Sequence, residues 1–517
     1  MWKTTTGAIV NGRRMQLAGG LAVALAVVGG IGATGAVAAP GTPNEPRYTA
    51  GAPGVGDAYF PNAGNGGYDV QHYDLDVTYA PPAAEPAPLV GQFEGTATID
   101  LVATQDLDRF NLDLRGMTVG SLTVDGKPAT AIAPPPAGAV VEGAAYWHVQ
   151  DDAERVWELT VQPRPKLKAG QTAQVVVEYG GPTTRPLDIE DAPYGWWTTR
   201  DGAIVASEPE GSMTWYPVSD HQTDKASYSF AITVPEGKVA VANGVQPKPE
   251  ETSGGWTTWY WDAPDQQASY LTTASVGDFD LRETYLSSSG VPIIDAVDTK
   301  LTPSRLATTN ASLARQVEMI DFFESRFGDY PFNSFGAIVD NDSVGYALET
   351  QTRPVYSSQA SQGTVAHELA HQWFGNSVSP ERWQDIWLNE GWATYATWMW
   401  TEQSGGITAQ QAYNNWYAPA RNAEYWSLQI GDPGPLGLFA SPVYNRGAGT
   451  LHALRVELGD EAFFAGTRLW LERYDDSAGT AEEFQAVFEE VSGEDLDAFF
   501  QIWLYDQVKP PATWTLP

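Results

Sequence analysis

Cysteine is absent from all 517 positions, so no disulfide can brace the fold and no cysteine-built structural zinc site can form. Basic residues are scarce: 29 Lys and Arg stand against 64 Asp and Glu, a formal charge of −35. Such a chain repels phosphates and anionic headgroups, which argues against nucleic acid or an anionic membrane as partner. The same charge favours approach of cationic molecules, such as peptides with a free amino terminus. No long apolar run recurs beyond residue 38, so no stable membrane insertion is expected. Internal repeats and coiled-coil heptads are lacking as well. Core packing and bound metal must hold the fold together, and 517 residues are enough for a sizeable core.

Lys3, Arg13 and Arg14 precede a mostly apolar run from Leu17 to Val28 and the small residues Ala36-Val37-Ala38, the pattern of a secretory signal peptide with its cleavage site. Residues 1–38 are read as that signal and the protein as secreted, extracellular, with attachment to the cell envelope left open. Arg13-Arg14 fits ordinary positive charge ahead of the apolar segment, the favoured reading, or a twin-arginine export signal. Residues 39–57, rich in Pro, Gly and Ala, read as a flexible lead-in without function.

From 58 to 285 short strands dominate. Tyr73, Leu75, Val77 and Tyr79 alternate with Asp74, Asp76 and Thr78, and Tyr228, Phe230, Ile232 and Val234 repeat the period. Asp125-Gly126 after Leu122-Thr123-Val124 signals a tight hairpin. A β-rich sandwich or saddle-like domain follows from these signs. Near Thr302-Pro303 the spacing turns to three and four, as in Leu313, Val317, Ile320 and Phe323, and predicts helices, with a short β portion around Phe335 to Tyr356. Leu451, Leu454 and Leu458 form a stripe ended by Gly459, and Thr480 with Glu483 forms a capping box. The fold class is therefore α+β and multidomain: a β-rich domain, then a mainly helical domain over 286–510, then a tail over 511–517.

The helical part carries His367-Glu368-Leu369-Ala370-His371 and, eighteen residues on, Asn389-Glu390-Gly391. Positions i and i+4 of a helix share a face, so His367 and His371 can reach one metal ion, with Glu368 leaning to the same side. Glu390 completes a set of three protein ligands, the number that a catalytic zinc takes while leaving a position for water. One Zn²⁺ per chain is the cofactor that this spacing predicts. The alternatives are histidines that merely pack, and a structural zinc site, which is normally closed by four ligands and leans on cysteine. Trp373, Trp383, Trp387, Trp392, Trp398 and Trp400 crowd the motif; they build either a wall under the metal helices, the favoured reading, or a pocket for an aromatic side chain.

These motifs, with Phe327-Gly328-Asp329-Tyr330-Pro331-Phe332 and Trp387-Leu388, resemble those of the aminopeptidase N family of gluzincin zinc peptidases, which includes leukotriene-hydrolase-like enzymes; the resemblance runs from about Gly67 to Pro510. It implies that the helical domain is thermolysin-like. Tyr346-Ala347-Leu348-Glu349-Thr350 is similar to the family's G-x-M-E-N strand, which implies substrate contacts by Ala347, Leu348 and Glu349, the last holding the substrate's amine. Tyr444-Asn445-Arg446-Gly447 resembles the Y-x-K-G motif and implies that Tyr444 is the catalytic tyrosine. Ser207-Glu208-Pro209-Glu210-Gly211 resembles the segment that supplies a second amine-holding acid, with Glu210 at the matching position and Glu208 as the alternative. Roughly seventy residues follow Tyr444, enough to finish the catalytic domain, so the long helical domain that roofs the site in many members is not expected. The predicted function is removal of the N-terminal residue from peptides, with Glu368 as general base and Tyr444 as oxyanion donor. An endopeptidase follows instead if the two acids do not converge on the amine; a non-catalytic metal-dependent binder is the distant alternative.

Overall fold

The alternation along Tyr68–Ala80 becomes a thirteen-residue strand that buries Tyr73, Leu75, Val77 and Tyr79 and turns its acids outward, as seen in a computed structural model that describes residues 48–284, 287–418 and 423–514. The expected signal peptide, residues 39–47 of the lead-in and residues 515–517 of the tail lie outside the described residues. Ala226–Pro235 lies parallel to Tyr68–Ala80 with Ser227 opposite His72, so the two sequence stripes face one core, where Tyr73 stacks on Tyr228 at 5.0 Å. Both strands sit inside an eight-stranded sheet in the order Glu251–Ser253, Trp256–Gln267, Ala226–Pro235, Tyr68–Ala80, Gly91–Ala103, Thr172–Thr183, Thr118–Val124, Lys127–Pro128. At its edge Asp125 (φ 50°) and Gly126 (φ 69°) make the expected two-residue turn, with Val124 opposite Lys127.

Two smaller sheets complete this β domain. One has five strands, the other four: Gly195–Thr198, Ala203–Ala206, Ala274–Gly277 and Val239–Ala242. The five-stranded sheet corrects the reading of residues 39–57 as a flexible lead-in for their described part, residues 48–57. Thr49–Ala50 pairs parallel with Leu107–Asp113, and Asp57 is buried. Asp57 accepts bonds from the backbone N–H of Tyr59 (2.7 Å), Phe60 (3.1 Å) and Trp383 (2.9 Å). Burial works against its charge, but the contact with His221 and these N–H groups outweigh it and hold the carboxyl at about 2.

The second domain starts earlier than its helices suggest. Phe279–Thr284, expected at the end of the β domain, pairs with Ile293–Asp298 in a separate sheet that continues through Phe335–Asp340 and Val355–Ser357 to the edge strand Ala347–Leu348. Around that sheet lie α1 (Pro303–Leu313), α2 (Gln316–Phe327), α3 (Gln362–Ala370), α4 (Trp387–Gln403), α5 (Ala409–Tyr417), α6 (Ala423–Ser427), α7 (Ser441–Arg473), α8 (Ala481–Ser492) and α9 (Asp497–Phe500). Gly459 ends the Leu451, Leu454 and Leu458 stripe as expected: its φ 78° and ψ 162° leave the helical region and divide α7 into two helices joined at a kink. The capping box is present: Thr480 accepts from the Glu483 N–H at 3.2 Å and Glu483 from the Thr480 N–H at 2.9 Å. Trp373, Trp383, Trp387, Trp392 and Trp400 are buried, and Trp392 stacks on Phe374 at 4.2 Å, so they form a wall. Trp398 is half-buried and has a different place, described below.

Candidate active site

Helix α3 opens at Ser361, whose hydroxyl accepts from the Thr364 N–H at 3.2 Å, and closes at His371. His367 and His371 stand one turn apart, with ring centroids 4.8 Å from each other. Glu390 lies in the first turn of α4, where the helix dipole favours a carboxylate. Its Oε2 is 3.1 Å from His367 Nε2 and 3.6 Å from His371 Nε2. His371 Nδ1 lies 3.0 Å from the Phe374 carbonyl oxygen, so its N–H points there and Nε2 is left for a metal. Two imidazole nitrogens aimed at one carboxylate, with all three donor atoms within 4.8 Å of one another, fit a zinc ion. His371 is almost wholly buried while the His367 side chain is 20 % exposed, so the site opens on the His367 side.

The site is crowded with negative charge. Glu368, Glu349 and Glu208 are all buried, and burial pushes each carboxyl up, more so for the charges of the other acids around them. Burial also opposes the charge of Glu390, yet its bonds to His367 and His371 win and hold it down at about 2. Burial works to lower His371, but the acids Glu349, Glu390 and Glu368 work against it and raise the imidazole, whereas burial keeps His367 below the usual imidazole value. Four buried carboxyl groups stand beside two imidazoles, and a cation bound among them would favour their ionised form. Glu349 Oε1 and Glu208 Oε1 have no hydrogen-bond partner among the described residues, although Glu349 Oε1 lies 3.9 Å from His371 Nδ1.

Glu349 follows the edge strand Ala347–Leu348, which pairs on one side only, with Val355–Ser357. Glu208 arrives from the β domain just after Ala203–Ala206. Here the structure corrects the sequence reading. Glu210 points elsewhere and forms an ion pair with Arg155, which lowers a carboxyl that burial raises. Glu208 is the acid that feels Glu349, Glu390 and Glu368. Side chains two apart on an extended segment share a side only while the segment stays straight, and Arg155 comes from 55 residues away, so nothing local marks which acid turns inward.

Tyr444 stands in the first turn of α7, its ring nearly parallel to that of His367 at 6.1 Å. Burial, then Glu390, Glu208 and Glu349, raise its hydroxyl well above the ordinary value, which keeps it a hydrogen-bond donor. Helices α4 and α7 touch at two glycines: a Cβ on Gly391 would lie 2.9 Å from Gly447 Cα, and one on Gly447 2.8 Å from Gly391 Cα. Glu390 and Tyr444 are thereby placed by backbone contact. Arg446, fully buried, donates to the carbonyls of Trp426, Leu428, Ile502, Trp503 and Asp506 and anchors the end of the chain to α7. Beside His367 and Glu368 a cavity of about 220 Å³ is walled by Thr364, Thr394, Thr397 and Trp398.

The Peptidase M1 N-terminal domain matches residues 70–271 and the Peptidase family M1 domain residues 335–503. The chain belongs to peptidase family M1. It is similar to Aminopeptidase N of Streptomyces lividans, 24% identical over 308 residues, which cover 54% of this chain and 35% of that protein. Aminopeptidase 2 of Candida albicans is 23% identical over 474 residues, covering 84% of this chain and 46% of the other. The chain thus spans between about a third and a half of the length of these curated relatives. An M1 zinc metallopeptidase of Deinococcus radiodurans superposes with a TM-score of 0.76 at 26% identity, over 89% of this chain and 99% of that one. A mutant of that enzyme was solved with a Tyr-Ser-Ala substrate, and a two-domain M1 zinc metallopeptidase mutant with L-arginine. The β-rich domain followed by a helical catalytic domain is the arrangement expected from the sequence.

Proposed function

We propose that the protein is a zinc-dependent aminopeptidase that releases the N-terminal residue from peptides, and that it works outside the cell. The observation that carries the activity is the pair of buried carboxylates, Glu208 and Glu349, beside the ligand set His367, His371 and Glu390. A protonated α-amine suits these two acids, whereas the neutral nitrogen of an internal peptide bond does not. The aminopeptidase relatives and the complexes of the structural neighbours with amino acids and a tripeptide support this reading. When bound, zinc supplies Lewis acidity toward the scissile carbonyl and lowers the pKa of a water. Glu368 takes that water's proton on a carboxylate oxygen and returns it to the leaving nitrogen. Tyr444 donates from its hydroxyl to the carbonyl oxygen as negative charge develops there. The edge strand Ala347–Leu348 offers free backbone groups to an extended substrate.

Extracellular placement rests on residues 1–38, and among the described residues no helix is long and apolar enough to cross a membrane. N-terminal sequencing of the protein from culture medium checks it; a chain that keeps residues 1–38 inside the cell refutes it. The activity is tested with one peptide in free and N-acetylated form, products followed by mass. The free form should lose one residue at a time and the acetylated form should resist, because acetylation removes the charge that Glu208 and Glu349 meet. Equal rates on both forms, or internal fragments as first products, would replace this reading with an endopeptidase.

A further inference from the structure

The carboxylate of Glu349 faces the site, but what fixes it is its backbone. Strand pairing ends at Leu348 opposite Val355, so the Glu349 carbonyl lies just past the ladder. Two side-chain amides take it instead: Gln372 Nε2 donates at 3.2 Å and Asn376 Nδ2 at 2.8 Å. Both residues are fully buried, and both follow His371 directly in the chain, within five positions. Gln372 does more than this. The same Nε2 reaches the Glu368 carbonyl at 3.2 Å, and its Oε1 accepts from the Thr352 N–H at 2.8 Å, where the backbone turns through a positive φ of 64°. The loop that carries Asn376 is itself held, since Lys225 of the β domain donates to the Asn376 and Ser377 carbonyls at 2.8 Å each.

One short stretch therefore connects three things: the helix that bears the histidines and Glu368, the strand end that bears Glu349, and the β domain. Two buried amides on one carbonyl exceed what satisfying that group requires, since a single donor meets the need of a buried carbonyl. A paired grip restricts direction as well as distance. We propose that Gln372 and Asn376 are positioning residues that set the separation between the amine-holding carboxylate of Glu349 and the metal ligands, and so hold the scissile carbonyl of a free-amine substrate in register. This rests on the reading of Glu349 as an amine anchor. A shift of the anchor by about 1 Å misaligns the carbonyl and costs up to about 100-fold in rate without touching a ligand or the base.

The test is a pair of double-mutant cycles on the zinc-loaded protein: Asn376→Ala and Gln372→Met, each in the wild-type and Glu349→Ala backgrounds. Zinc content, melting temperature, kcat and KM on an aminoacyl arylamide, and inhibition by free L-arginine against N-acetyl-L-arginine are measured. Each single variant should keep its zinc, lose about 10- to 100-fold in kcat/KM, and bind free L-arginine more weakly, with little change toward the acetylated form. In the Glu349→Ala background the further loss should shrink to about twofold or less. A full, additive loss in that background, or wild-type kcat/KM in a folded, zinc-loaded Asn376→Ala protein, overturns the proposal while leaving the aminopeptidase reading intact. Unchanged KM and L-arginine inhibition in Glu349→Ala itself overturns both. Should Asn376→Ala fail to fold, Asn376→Ser and Gln372→Met complete the cycles with the same outcomes.

Discussion

Glu368 shares a helix with two of the proposed metal ligands but has a different proposed duty, and that difference can be measured. Glu368→Gln keeps the shape, removes the base and leaves His367, His371 and Glu390 in place, so turnover should fall by about 10²- to 10⁴-fold with zinc content unchanged. Metal analysis beside steady-state kinetics decides it, and a zinc-free variant would mean that Glu368 helps hold the ion. The two acids of the β domain should separate just as clearly. Glu208→Ala should raise KM for free-amine substrates and barely alter the melting temperature. Glu210→Ala should do the reverse, because it deprives Arg155 of its partner at a cost of about 1 to 3 kcal/mol of stability. A KM effect from Glu210→Ala equal to that of Glu208→Ala would contradict the orientation described above. The two histidines of the candidate metal set were legible in the sequence because His367 and His371 obey helical spacing, a local rule, while Glu390 was found only through the spacing of the longer motif. The inward acid was not legible, because the choice between Glu208 and Glu210 is made by Arg155, a partner that only the folded chain brings near.

Helices α4 and α7 fix the site through Gly391 and Gly447, where neither offers a side chain to yield. Gly447→Ala should lower stability by about 1 to 3 kcal/mol and reduce activity as well, because the added methyl must push apart the helices that carry Glu390 and Tyr444. Thermal unfolding with kinetics on the same preparation tests this; an Ala variant with unchanged melting temperature and rate would show that the contact has slack. Elements whose partners are near in sequence were readable. Asp125-Gly126 needs only its own turn chemistry, and the Thr480–Glu483 cap only its own helix end. Phe279–Thr284 was misplaced for the opposite reason: alternation reveals a strand but not the sheet it joins, and that is settled by the pairing with Ile293–Asp298. Gly459 was readable as a helix end, since a glycine with positive φ needs only its own backbone freedom.

Across the whole molecule, buried acids couple stability to pH. Burial raises Glu158 to about 8 and Asp220 and Asp224 to about 7, against ordinary values of 4.5 for Glu and 3.8 for Asp. Between those values the folded chain holds more protons than the unfolded one, so stability falls as pH rises through about 7 to 8. Glu390 and Asp57, both held at about 2, act with the opposite sign, and their contribution is lost only as pH falls toward that value. The melting temperature of the zinc-loaded protein should therefore decline from about pH 5 to about pH 8, and the decline should be shallower in Glu158→Gln. A flat profile in the wild type would show that these acids are ionised in the folded state. The net charge of −35 pushes the same way, since every added negative charge meets more of its own sign.

The segment around Asp57 and Tyr59 also imposes an order in time. Thr49–Ala50 docks on a strand made soon after it, but Asp57 waits for Trp383, 326 residues later, and the Tyr59 hydroxyl waits for Asp432 and Gly434, 373 and 375 residues later. At about 5 to 20 residues per second of synthesis that interval lasts tens of seconds. Until those partners exist these contacts of Asp57 and Tyr59 cannot form, although every strand of the β domain has been made. The Asp57 contact needs residue 383 and the Tyr59 contacts need residues 432 and 434, so the latch is complete only after His367, His371 and Glu390 have been made, and a chain truncated before residue 432 lacks it.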